Sequence, residues 1–223
     1  MARGAVNNGR MTTTLTRWGH ACVRIDSPGG VLVIDPGTYS DLDRALADAD
    51  AVLVTHVHPD HLDAGRVAAS GVPVWGPSEV VAALASAGMP SHLLHAVAEG
   101  DELSPTGLDV RVLGKQHAVI HPDLPAMQNV AYLLGGSVLH PGDSLPALPA
   151  GRVLVLLVPT SGGWVHLDAV IDWVRALRPE LAVPIHDAML SPPGQAITIS
   201  LLTRLCAASV SDLTAGEPLA LPF

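Results

Sequence analysis

The segment Thr55-His56-Val57-His58-Pro59-Asp60-His61-Leu62-Asp63-Ala64-Gly65 places four metal-capable side chains within six positions, directly after the apolar run Ala51 to Val54. In an extended backbone alternate side chains point the same way, so His56 and His58 can aim two imidazoles at one point. Pro59 suits the first turn of a following helix, and Asp60 and His61 would project from that turn near the same spot. Half of one tetrahedral site is thereby present, with ligands for a second ion beside it. Imidazole and carboxylate without thiolate suit zinc, and manganese or iron as well. A lone histidine in a polar loop is ordinarily solvated. Four such groups packed behind a buried strand call for a metal.

The elements that must hold this segment alternate. Strand-length apolar stretches occur at LTRWGH, ACVRID, VLVID, AVLVT, VPVWG, LDVRVLG, NVAYLLG, SVLHPG, RVLVLLVP and LAVPIH. Helical stretches lie at Asp41 to Asp48, Asp60 to Ser70, Pro77 to Gly88, Trp164 to Leu177 and Pro193 to Ala208. The segments up to Asp35, and those from Leu108 to Pro141, have the Gly-containing turns of antiparallel meanders, whereas the later ones are separated by helices. VLVLLV and AVLVT are continuous apolar runs, as in strands buried on both faces. Mixed sheets covered by helices follow, in one domain of two similar halves over residues 12–223, with residues 1–11 as a loose tail.

Composition limits the partners. The chain has 223 residues, 48% of them hydrophobic, and a net charge of −9. That acidity argues against nucleic acid and against an anionic membrane surface, and the hydrophobicity argues against disorder. The longest strongly apolar run, Val153 to Val158, is far short of the ~20 residues that span a bilayer. Cys22 and Cys206 form no paired motif, so a reducing cytoplasm is the expected location. A small-molecule substrate fits this surface, and a homo-oligomer is compatible with it. The eleven histidines are the unusual entry in the composition.

The string HVHPDH resembles the His-x-His-x-Asp-His signature of the metallo-β-lactamase fold hydrolases, and the trailing Gly65 matches too. The likeness extends to Trp18-Gly19-His20-Ala21, Ile34-Asp35-Pro36, Pro141-Gly142-Asp143-Ser144 and Pro184-Ile185-His186. The Gly-His-Ala and Asp-Pro elements look most like the branch of ascorbate-phosphate lactonase-like proteins. The resemblance implies an α/β (α+β) fold, a four-layer αββα sandwich of two mixed sheets with helices on the outer faces and a dinuclear site at one edge. Carried over, His56, His58 and a later His hold the first metal, Asp60, His61 and a terminal His hold the second, and a bridging Asp touches both. Asp143 is the expected bridge and His186 the expected terminal ligand. For the third His of the first site, Gly114-Lys115-Gln116-His117-Ala118-Val119-Ile120-His121 offers two candidates. His117 follows the strand Leu108 to Leu113, where the family puts its ligand; His121 heads a proline-bearing loop and would line the pocket or touch substrate.

Smaller roles fall to other residues. His20 is placed in the pocket or behind a ligand, and Asp35 can hydrogen-bond a ligand imidazole and fix its tautomer. His166, after Ser161-Gly162-Gly163-Trp164, would border the pocket, and His140 would orient the loop at Asp143 or face the sheet interior. Asp63 would cap a helix or orient a ligand. Two cations about 3.5–4 Å apart lower the pKa of a bound water toward ~7 and supply a bridging hydroxide as nucleophile. Asp60 would guide its proton, and His121 or His166 would donate to the leaving group. The expected activity is metal-dependent, dizinc hydrolysis of a small-molecule ester, lactone or phosphoester. The alternatives are a non-catalytic metal-binding module and a nucleic-acid phosphodiesterase of the same fold. Arg17, Arg24, Lys115 and Arg152 are the cations expected near the strand ends, with Lys115 the best placed to bind an anion.

Overall fold

Alternating apolar side chains build this fold layer by layer. The computed structural model describes residues 12–147 and 150–223; the expected tail, 1–11, lies outside the described residues. Strands β1 (Thr14–Arg17), β2 (Val23–Ser27) and β3 (Gly30–Ile34) form an antiparallel meander. The chain then passes through α1 (Leu42–Ala45), β4 (Ala51–Leu53), α2 (Ala64–Ser70), β5 (Val74–Gly76), α3 (Ser78–Ser86) and β6 (Leu94–Ala96), with β3 to β6 parallel. A second meander runs through β7 (Glu102–Leu103), β8 (Val110–Leu113), β9 (Ala131–Leu134) and β10 (Val138–His140). After it, β11 (Val155–Pro159), α4 (Leu167–Leu177), β12 (Leu181–Ile185), α5 (Pro192–Leu205) and β13 (Ser209–Val210) extend that sheet in parallel. Finally β14 (Pro218–Ala220) returns to pair antiparallel with β1.

The result is two mixed seven-stranded sheets, ordered β14-β1-β2-β3-β4-β5-β6 and β13-β12-β11-β10-β9-β8-β7. Strand periodicity assigns each side chain to a layer. In β3, Leu32 and Ile34 enter the core between the sheets, while Val31 and Val33 face α1 to α3. In β11, Leu157 packs between the sheets and Leu156 and Val158 pack against α4 and α5. The architecture is the expected αββα sandwich.

One local expectation fails. The helix expected from Asp60 begins only at Ala64, because the Asp63 carboxylate caps it by accepting from the Arg66 backbone N–H at 3.0 Å. Residues 59–62 form a turn instead, with the N–H groups of His61 and Leu62 both donating to the His58 carbonyl, at 3.0 and 2.9 Å. Asp60 and His61 therefore leave a turn, not a helical face. The carboxyl ends of β3, β4, β10 and β12 point to one edge, where Asp35, His56, Asp143 and His186 follow their strands.

Candidate metal centre

Thr55 and Asp35 set up the first imidazoles. Asp35 accepts from the Thr55 backbone N–H (2.7 Å) and from its hydroxyl (2.8 Å). With its proton committed to Asp35, the Thr55 hydroxyl can only accept from His56 Nδ1 at 3.0 Å. His56 Nε2 is left with its lone pair, 3.0 Å from His58 Nδ1. His117 donates Nδ1–H to its neighbour's carbonyl, Ala118 O, at 2.5 Å and turns Nε2 toward Asp143 at 3.3 Å. His56, His58, His117 and Asp143 thus form one cluster whose ligand atoms lie within 4.8 Å of one another.

A second cluster, His20, Asp60, His61 and His186, meets the same distance limit. His61 donates Nδ1–H to Asp35 at 2.7 Å, which turns its Nε2 toward Asp143 Oδ1 at 3.0 Å, and that nitrogen offers a lone pair once its proton has left. His186 Nε2 stands 3.2 Å from Asp143 Oδ2 and 3.4 Å from Asp60 Oδ2. Asp143 therefore reaches both clusters, one oxygen toward His61 and the other toward His117 and His186. His20 differs from the other imidazoles. Its Nδ1 accepts from the Ala188 backbone N–H (3.2 Å), so Nε2 bears the proton and donates to Asp60 Oδ2 at 3.1 Å. It orients the carboxylate and offers no lone pair to an ion.

Residues 14–186 match the family described as the Beta-lactamase superfamily domain. The chain belongs to the metallo-β-lactamase superfamily. Protein Rv0786c of Mycobacterium tuberculosis is 36% identical over 201 residues, which cover 86% of this chain and 92% of that protein. A Myxococcus xanthus protein named UPF0173 metal-dependent hydrolase is 28% identical over 201 residues, 79% of this chain and 71% of the relative. Among solved structures, Igni18, a metallo hydrolase of the archaeon Ignicoccus hospitalis, superposes with a TM-score of 0.71 at 23% identity. It covers 96% of this chain and 100% of its own, a likeness of fold.

In this superfamily member the chemistry of the donor set fits metal ions. The Nε2 atoms of His61, His117 and His186 crowd round the Asp143 carboxylate at 3.0, 3.3 and 3.2 Å without a well-directed hydrogen bond, and His186 Nδ1 is buried without a partner. Buried polar atoms are ordinarily paired, and here they converge on shared points instead. The electrostatics agree. Burial pushes the His56 and His58 pKa values down, aided by neighbouring histidines, which keeps both imidazoles neutral as ligands must be. Burial opposes ionisation of Asp60 and Asp143, yet the surrounding imidazoles hold both carboxyls well below the usual range. Burial likewise opposes charge on His61 and His186, but Asp143 with Asp35 and with Asp60 outweighs it, and His186 rises to about 9. Without metal, protons on these two rings supply the positive charge that the carboxylates demand.

Other singled-out residues lie apart. His121 is exposed, 3.6 Å from Asp123, and lines a cavity beside His58 and His117 without joining either cluster. His166 is also exposed: as the N-cap residue of α4 its carbonyl accepts from Val170, and it stands outside both clusters. His140 is buried, donating to Ala21 O and accepting from Gly142 N, so it orients the loop that carries Asp143. The cations expected at the strand ends are engaged elsewhere, Arg17 with Asp187, Arg24 with Asp26 and Arg152 with Glu180. Lys115 is exposed.

Sequence reasoning gave no role to Trp164, whose indole N–H donates to Asp143 Oδ2 at 2.8 Å, or to Asn129, whose Oδ1 accepts from Asp143 N at 2.9 Å. Thr55 opened the motif without a role. The signal for Trp164 in the sequence is an aromatic N–H donor at the end of the Gly162-Gly163 loop, two residues before His166.

Proposed function

We propose that this protein is a metal-dependent hydrolase of a small-molecule ester, lactone or phosphoester, working with two divalent ions, zinc by preference. The observation that carries this reading is the sharing of buried Asp143 between two clusters whose lone-pair atoms converge. His56, His58 and His117 would hold one ion, Asp60, His61 and His186 the other, with Asp143 between. An all-nitrogen-and-oxygen donor set suits zinc and also accepts manganese or iron. When bound, such a pair supplies a water acidic enough to be a nucleophile near neutral pH and an electrophile for the substrate oxygen.

The chain's own residues divide the remaining work. Trp164 and the Asn129 contact fix Asp143, and Thr55 with Asp35 locks the tautomers of His56 and His61, so the donors are aligned before anything binds. Asp60 is the more accessible of the two carboxylates, its side chain 20% exposed against 3% for Asp143. Held by His20, its lowered pKa makes it an acceptor that orients the nucleophilic water. We also place the protein in the cytoplasm, a reading supported by the free, buried Cys22 and Cys206. Among the described residues no helix is long and apolar enough to cross a membrane.

Metal counting on the purified protein tests the proposal together with turnover of a generic ester and a phosphodiester. Up to two equivalents are expected, with His56→Ala abolishing turnover and His58→Ala and Asp60→Ala each losing metal. Full metal retention in the last two variants would overturn it.

A further inference from the structure

A cavity of about 560 Å³ opens onto His58 and His117. Its far wall is the segment from Ala118 to Met127, which includes Val119, Ile120, Leu124 and Pro125. Three of these side chains are left in water: Val119 is 72% exposed, Ile120 43% and Leu124 55%. Exposed apolar groups gathered beside polar ones mark a binding surface. The volume is that of a small-molecule site, within the ~300–1,000 Å³ such sites span.

The segment is fastened at both ends. Near its start the His117 N–H donates to Met127 O and the Ala118 N–H to Asp143 O, at 3.0 and 2.9 Å. Beyond its end Gln128 exchanges hydrogen bonds with the start of α3, accepting from Ser78 and Glu79 and donating to the Glu79 carboxylate. Two prolines and the Leu124 N–H to His121 O bond stiffen the tip. The wall is thus tied to the same residue that joins the two clusters, which makes the cavity an extension of the metal centre. Among the described residues no Lys or Arg lines it, and the titratable groups there are His58, His117 and His121.

Resting on the hydrolase reading above, we propose that this cavity receives the apolar chain of an uncharged carboxylic ester or lactone whose carbonyl lies at the metal centre. Hydrolysis breaks the acyl C–O bond, water giving its hydroxyl to the acyl carbon and a proton to the departing oxygen. A phosphomonoester, carrying its charge into a wall without cations, is the disfavoured class.

The test is calorimetric titration of the metal-loaded protein with acetate, butyrate, hexanoate and octanoate, the carboxylates such reactions release. Affinity should rise by about fourfold per methylene as each is withdrawn from water. In the double variant Ile120→Ser, Leu124→Ser the increment should fall to less than half of that. Ile197→Ser, an exposed apolar residue on α5, should leave it unchanged. Both variants alter exposed side chains, so folding is not at stake. Affinity independent of chain length, undetectable octanoate binding, or an unaltered increment in the double variant would each overturn the proposal. Turnover of p-nitrophenyl acetate through octanoate separates the two readings. Chain-dependent binding without turnover sinks the hydrolase and leaves the cavity; turnover without chain dependence in binding does the reverse.

Discussion

Three of the candidate ligand imidazoles have a partner that determines which nitrogen turns inward, His56 through Thr55, His61 through Asp35 and His117 through the Ala118 carbonyl. Asp35 is the most consequential, since one carboxylate serves Thr55 and His61 and through Thr55 reaches His56. Replacing it with Asn substitutes a donor for one acceptor and breaks that set. Asp35→Asn and Trp164→Phe should each weaken metal binding by about 10- to 100-fold, the usual effect of losing such a partner. Competition with a chelating dye measures this; wild-type affinity in Asp35→Asn would refute the tautomer assignment, and in Trp164→Phe the role of the indole in holding Asp143. Protonation gives a second expectation. The His186 pKa in the metal-free folded protein is about 9, above its ordinary 6.5. A raised pKa means that its contribution to stability is complete below 6.5 and lost as pH rises through 9, on the order of 3 kcal/mol. The melting temperature of the metal-free protein should therefore fall across that interval. At pH 7 metal uptake should release a proton from His186, countable by calorimetry in buffers of different ionisation enthalpy. The local motif was legible because its ligands are neighbours in sequence. Trp164 and Asn129 were not, because each meets Asp143 across a gap that only the folded strands close.

At the scale of elements, the ten apolar stretches of strand length all correspond to strands, β1 to β5 and β8 to β12. Those missed, β6, β7, β13 and β14, have two or three residues each, too short for a period to show, and all four are sheet edges. The helix expected at Asp60 failed because a capping carboxylate at Asp63 outweighed the helical suggestion of Pro59. Loops between elements are shaped by close approach. Gly142, with φ +59°, lies so near Thr55 and Asn129 that an added Cβ would stand 2.4 Å from Asn129 Oδ1 and 2.7 Å from the Thr55 side chain. A side chain there strains the backbone and pushes Asp143 away from its partners. Gly142→Ala should cost about 2 kcal/mol or more in denaturant unfolding and lower metal occupancy with it. An unchanged midpoint would show that the loop relaxes freely.

In the whole molecule the candidate metal centre is a seam. The first half of the chain supplies His56, His58, Asp60 and His61, and the second supplies His117, Asp143 and His186. Six of the eleven histidines, His20 included, lie in the two clusters, so the histidine surplus visible in the composition belongs to this seam. Polar contacts of the chain itself also cross it. The Tyr132 hydroxyl donates from β9 to Val54 O at 2.8 Å, Arg17 of β1 pairs with Asp187 at 2.7 Å, and the His186 N–H donates to His20 O at 3.0 Å. The Arg17 pair is buried, so Arg17→Ala would strand Asp187 and should cost about 3–5 kcal/mol. Metal ions bound across the seam would act as further cross-links, because they bind the folded chain and not the unfolded one. At a free metal concentration about 1,000 times Kd the linkage is ~4 kcal/mol. In a domain of this size each kcal/mol moves Tm by about 2–4 °C. Chelation should therefore lower Tm by about 8–16 °C in the wild type and by far less in Asp143→Ala, which lacks the residue common to both clusters. A wild-type Tm indifferent to chelator would show that no metal ion cross-links the halves.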